Sequence, residues 1–200
     1  PSEDRVKGYV VDITQEEQMK DAIEQAVDHF GSLYGMIANA GYNGDYQETT
    51  DATQENFQKV FDVNVFGVLW SLKHAIPHMV ENGKGSIVVL GSEGSYVGSP
   101  GMGAYVSSKH AVAAIFKTVN TEVGGKGINA NFVAPSAVKT DMMVRIAENT
   151  FGDSKTPEEA EEFFSQDTYD KRYATVEEVA AACLYLASEV SAHTMGWGIR

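Results

Sequence analysis

The sequence predicts an α/β fold in which a mostly parallel, doubly wound sheet carries helices on both faces. Short apolar runs of strand length alternate with longer stretches whose apolar residues recur at helical spacing, the pattern of strand–helix–strand units with right-handed crossovers. The central runs are apolar throughout, as strands covered on both sides are. Polar or small-residue breaks then fall where strands end: at Asp12, at Asn39 to Gly41, at Ser92 and at Pro135. In parallel sheets ligands bind at that carboxyl edge.

The first run, Val6 to Ile13, reads as a buried strand. Thr14-Gln15-Glu16-Glu17 then reads as a capping box, in which the threonine hydroxyl and the glutamate each satisfy an orphan backbone donor, so a helix is expected to start there. Met19, Ala22, Ile23, Ala26, Val27 and Phe30 form one stripe, and Gly31 ends it. A strand follows in Leu33 to Ala38. A long helix is expected from Gln54 to Val80, kinked near Pro77 and closed by Glu81-Asn82-Gly83. Next come a strand at Ser86 to Leu90, a glycine- and serine-rich loop to Gly103, a helix from Ala104 to Val123, and a strand at Ile128 to Ala134. The stretch Ser136 to Thr175 is more polar, with an acidic run at Glu158 to Glu162, and reads as an excursion with one or two short helices. Thr175-Val176-Glu177-Glu178 is a second capping box, opening a helix whose inner face carries Cys183.

Composition narrows the function. The 200 residues, 43% apolar and 22% charged, fit a single globular domain spanning residues 1–200. A net charge of −13 repels nucleic-acid backbones and anionic membrane surfaces on average. The longest apolar run, Ala111 to Phe116, is far shorter than a membrane span. One cysteine and no apolar signal segment make the cytoplasm the expected location. No metal site is expected, since His74 and His78 have no third ligand at suggestive spacing.

The chemistry concentrates in a few residues. Tyr105 and Lys109 stand one helical turn apart on one face, and an ammonium beside a phenol favours its ionised form. Ser92, at a strand mouth, can meet a substrate oxygen beside that tyrosine. Asn64 is a polar residue in an otherwise apolar helical stretch and needs a partner if buried. With Asn39-Ala40-Gly41, these residues make the chain resemble the short-chain dehydrogenase/reductase family over essentially its whole length.

The resemblance implies a Rossmann-like fold, NAD or NADP as cofactor, and hydride transfer to or from a small alcohol or ketone. It puts the active site on Asn64, Ser92, Tyr105 and Lys109. Tyr105 is then the general acid or base, Lys109 lowers its pKa and holds the ribose, Ser92 fixes the reacting oxygen, and Asn64 extends a proton path through its backbone carbonyl and a water. The cofactor is expected on Asp12, Ile13, Asn39, Ala40, Gly41, Tyr105, Lys109, Pro135, Val138 and Thr140, with residues 141–175 as a loop over the substrate. Met142, Met143, Phe163 and Phe164 are expected to line or cover an apolar pocket. The family's usual state makes a homodimer or homotetramer the expected assembly, through helices bearing Val68, Leu69, Ile115 and Phe116.

Three departures stand out. The family's glycine-rich phosphate turn has no counterpart in these residues, so the sheet is expected to be incomplete at both termini, with further strands before Pro1 and a closing strand after Arg200. Ser136 stands where the family usually has glycine, and Glu93 directly follows the active-site serine. Two other readings compete: an epimerase or dehydratase that retains its nicotinamide, disfavoured because few residues follow Thr175, and a non-catalytic binding or oligomerisation module.

Overall fold

The computed structural model describes residues 5–196, 198 and 199. Helix α1 (Glu16–Phe30) buries Ile23 on the expected stripe and ends on Gly31, whose φ of 81° is the left-handed C-cap that glycine adopts without strain. Its start differs from expectation. The Thr14 hydroxyl donates to Asp12 Oδ1 at 2.8 Å inside a turn closed by Gln15 N–H to the Asp12 carbonyl, so no capping box forms and Gln15 is the N-cap. Residues 6–13 are likewise not a strand: a strand needs a neighbour to complete its ladder, and here Val6 and Val10 are exposed, Val10 completely.

Strand β1 (Gly35–Ala38) leads through residues 39–53 to α2 (Gln54–Phe61), capped by the Thr53 side chain. The long helix then widens into a π turn over Asp62–Phe66 before α3 (Gly67–Glu81) resumes. The irregularity thus falls at Asn64, and the helix continues through Pro77. Strand β2 (Gly85–Leu90), α4 (Gly103–Val123) and β3 (Ile128–Val133) follow where the apolar runs and glycine breaks place them. The excursion holds α5 (Asp141–Phe151) and α6 (Pro157–Phe164). Both its ends meet where Val138 pairs with Ala174. Thr175 and Glu178 form the expected capping box at the head of α7 (Val176–Ala187). A two-residue strand, β4 (Gly198–Ile199), pairs with Phe132 and Val133, so a strand already joins β3 ahead of Arg200.

All pairings are parallel, in the order β1-β2-β3-β4. Every residue of β2 is buried, and the period of two sends its side chains to opposite faces. Ile87 and Val89 join Leu72, Met79, Val112, Phe116 and Phe132 on the side of α1, α3 and α4. Val88 and Leu90 meet Cys183 and Leu186 of α7 on the other. This is the doubly wound α/β architecture. Removing a side chain such as Leu72 from water contributes about 2–3 kcal/mol. Val68 and Phe116, expected at a subunit contact, are packed into this core, whereas Phe66 and Trp70 stack at 5.9 Å with Phe66 turned outward. No helix among the described residues is long and apolar enough to cross a membrane.

Candidate active site

The carboxyl ends of β1, β2 and β3 open into a cavity of about 970 Å³. At the end of β2 the chain passes Gly91, where a Cβ would fall 2.0 Å from the Phe132 ring, and turns sharply at Ser92. There Gly94 N–H donates to Ser92 Oγ at 3.1 Å and Ser92 N–H donates to Ser95 Oγ at 3.2 Å. The turn sets the Ser92 hydroxyl beside the Tyr105 ring at the start of α4, where a Cβ on Gly94 would meet both at 3.5 Å.

Tyr105 and Lys109 share a face of α4 as their spacing requires. Lys109 is 4% exposed, donates through Nζ to the Leu90 carbonyl at 2.9 Å, and lies 5.7 Å from the centre of the Tyr105 ring. Burial lowers its pKa to about 8. Burial also raises the Tyr105 phenol above its ordinary value, with the Ser92 hydrogen bond pulling the other way. This corrects the expectation that Lys109 lowers Tyr105: the ammonium is turned to a backbone carbonyl, and desolvation of the phenol dominates.

Asn64 does not border the cavity. Fully buried, it accepts from Tyr42 N–H at 2.7 Å and donates to the Tyr42 carbonyl and to Ser108 Oγ, both at 2.9 Å. Ser108 in turn donates to the Tyr105 carbonyl at 2.7 Å. The chain Tyr42–Asn64–Ser108–Tyr105 thus ties the loop after β1 to the helix bearing the phenol. Sequence reasoning missed Ser108, and also Asn56, which clamps Asp45 by accepting from its N–H at 2.9 Å and donating to its carbonyl at 3.0 Å. A second buried asparagine eight positions before Asn64 was the available signal.

Of the other expected residues, Asn39, Gly41, Pro135, Val138 and Thr140 line the cavity and Ala40 does not. Asp12 and Ile13 are also away from its wall: Asp12 holds the turn to Thr14, and Ile13 packs over Gly67. Met142, Met143 and Phe164 form an apolar side of the cavity, whereas Phe163 is turned outward. Glu93 and Ser136, the two departures noted above, both line it and touch: Ser136 Oγ donates to Glu93 Oε2 at 2.7 Å. His74 is engaged by Glu16 at 3.1 Å.

A family model described as Enoyl-(Acyl carrier protein) reductase matches residues 2–199. The chain is 33% identical to short chain aldehyde dehydrogenase 1 of Euphorbia lathyris, over 98% of this chain and 69% of that protein. It is 35% identical to (+)-borneol dehydrogenase 2 of Salvia officinalis, over 94% of this chain and 67% of that one. Its fold superposes on levodione reductase with a TM-score of 0.90 at 29% identity, covering 96% of this chain and 73% of that one. ElxO with NADP bound gives 0.87 at 29% identity, covering 98% and 77%. Carveol dehydrogenase from Mycobacterium avium in complex with NAD gives 0.88 at 28% identity, covering 94% and 70%.

Proposed function

From the premise that the chain belongs to the short-chain dehydrogenase/reductase family, and so is an NAD(P)-dependent oxidoreductase of alcohols and ketones, we propose that Tyr105, Ser92, Lys109 and Asn64 run its reaction. The observation that carries the reading is the buried Lys109 ammonium beside Tyr105, with Ser92 on the same cavity wall. An ammonium has three N–H donors, and the Leu90 carbonyl takes one. A buried cation lining a cavity suits the ribose hydroxyls of a dinucleotide, so the residues present fit the cofactor. The nicotinamide, when bound, accepts or supplies the hydride.

In ketone reduction the Tyr105 phenol gives its proton to the substrate oxygen; in alcohol oxidation its phenolate takes the hydroxyl proton. The Ser92 hydroxyl holds that oxygen and aligns the carbon bearing it. Lys109 anchors the ribose, and Asn39, Gly41, Pro135, Val138 and Thr140 wall the cofactor's end of the cavity. Asp12, Ile13 and Ala40, also assigned to the cofactor from sequence, have no wall contact that supports such a role. Asn64 is a positioning residue, setting the loop after β1 against α4 through Tyr42 and Ser108. Met142, Met143, Ile146 and Phe164 favour an apolar body on the substrate, with residues 141–175 as the segment over it in a domain spanning residues 1–200.

The outward Phe66–Trp70 stack supports self-association as a homodimer or homotetramer, which sedimentation tests. The single cysteine, buried at Cys183, supports a reducing compartment such as the cytoplasm. The central test is Tyr105→Phe: turnover of an alicyclic alcohol with NAD⁺ or NADP⁺ falls by at least about 10²-fold while binding of the reduced cofactor, read by fluorescence, is retained. A fully active variant overturns the reading.

A further inference from the structure

We infer that Asn56 is a positioning residue that sets one wall of the substrate's part of the cavity, and so how bulky an alcohol or ketone it admits. The inference rests on the active-site reading above, because it takes the cavity beside Tyr105 as the place of the substrate. Asn56 lies on α2, is 5% exposed and is not among the residues bordering that cavity. An amide side chain has one acceptor oxygen and two N–H donors. Here the oxygen accepts from Asp45 N–H at 2.9 Å, while the NH2 group donates to the Asp45 carbonyl and to Gln47 Oε1, both at 3.0 Å. Gly44, at a φ of 71°, lets the backbone come so close to α2 that a Cβ would fall 2.7 Å from the Asn56 oxygen and 2.5 Å from Val60. Residues 44–47 are therefore seated on α2 by one buried amide.

The seated segment reaches the cavity wall in two steps. Gln47 N–H donates to the Gly101 carbonyl at 2.8 Å, which pairs Gln47 with Met102, and the Tyr46 ring packs so tightly on Gly101 that a Cβ there would fall 2.1 Å from it. The Met102 carbonyl in turn accepts from Val106 N–H at 2.9 Å, in the first turn of the helix that carries Tyr105. Met102 and Ile146 of α5 both border the cavity. The same two residues also border a separate recess of about 10 Å³, shared with Asn43, Tyr46 and Asn149. That is room for a single water, so Met102 and Ile146 have little space to give way while residues 43–47 stay seated. A close-packed contact passes a displacement on rather than absorbing it. Asn56 thus acts on the substrate's wall through Gln47, Tyr46 and Met102, whereas Asn64 acts through Tyr42 beside Gly41.

The test compares cyclohexanol with 4-tert-butylcyclohexanol. Dissociation constants are measured by calorimetry on the complex with reduced cofactor, in which neither alcohol is oxidised, and kcat/KM with oxidised cofactor is measured separately. Asn56→Leu unseats the segment, and the bulkier alcohol gains over the smaller by about fivefold or more in binding, less than the roughly tenfold that one methylene is worth in a rigid pocket. Affinity for the reduced cofactor stays within about twofold, a split that general loosening of the fold does not produce. Tyr46→Ala cuts the same link at its exposed end and shifts the ratio in the same direction, which reads the wall even where Asn56→Leu does not fold. The double variant shifts it no further than the larger single change, because both act on one contact. An unchanged ratio in both single variants, an equal loss of cofactor affinity, additive shifts, or no binding of either alcohol overturns the inference. A shifted binding ratio with no turnover of either alcohol by the unsubstituted protein leaves the wall standing and overturns the oxidoreductase assignment of the site instead.

Discussion

Lys109 and Leu90 are joined by a buried hydrogen bond, in which the ammonium of α4 donates at 2.9 Å to the last carbonyl of β2. The contact holds the helix bearing Tyr105 against the mouth of the sheet, and it keeps a charge where water does not reach. Burial lowers the lysine pKa from 10.5 to about 8. Between those values the unfolded chain binds a proton that the native chain does not, so stability rises as pH climbs through the window and is reduced below it. The difference amounts to about 3 kcal/mol at most, at 1.36 kcal/mol per pKa unit. Urea denaturation of Lys109→Met against the unsubstituted protein at pH values on either side of the window measures it. The variant gains relative stability at the lower pH and loses that advantage at the higher; a pH-independent difference contradicts the placement of the charge.

Asn64 predicts a second, larger effect. Its amide pairs with both the N–H and the carbonyl of Tyr42 and also holds Ser108, and Asn64 itself is fully buried. Asn64→Ala strips the Tyr42 N–H and carbonyl of this partner and the Ser108 hydroxyl of one donor, at a cost of about 3 kcal/mol. Because Tyr42 adjoins Gly41 on the cavity wall, the loosened loop also raises the KM for the cofactor. Denaturation midpoints and cofactor titration read the two parts. A loss below about 1 kcal/mol with unchanged cofactor KM contradicts the positioning role.

The course of β2, β3, α1, α4 and α7 was legible because apolar periodicity and glycine stops are local signals, and Gly31, Gly124 and Thr175 end or start helices where they should. Residues 6–13 were misread for a physical reason: an apolar run states that side chains favour burial but says nothing of whether a neighbouring strand offers hydrogen bonds. Thr14 failed as a cap because Asp12, two residues earlier, competes for its hydroxyl. Helical spacing put Tyr105 and Lys109 on one face of α4 and a strand end put Ser92 at the cavity, as the structure has them, while their roles came from the family resemblance. The Ser136–Glu93 contact, the clamp of Asn56 on Asp45 and the turn of Lys109 toward Leu90 were not, since each depends on packing between segments distant in the chain.

The placement of Ser92 beside Tyr105 carries the last expectation. Burial alone moves the phenol pKa upward, and Ser92 is the group that moves it back. Alcohol oxidation requires the phenolate, so the acid side of its pH profile follows the phenol. Ser92→Ala removes the lowering contribution, and the half-maximal point of kcat/KM for oxidation shifts to higher pH. Loss of the hydroxyl that holds the reacting oxygen also lowers kcat, by about 10²-fold, the scale of removing one donor from a reacting oxygen. Steady-state profiles with a single alcohol and saturating cofactor separate the two effects, since the first moves the curve along the pH axis and the second only scales it. A fall in rate with no displacement, or a displacement to lower pH, means that the serine serves the substrate alone and leaves the tyrosine's ionisation to other groups.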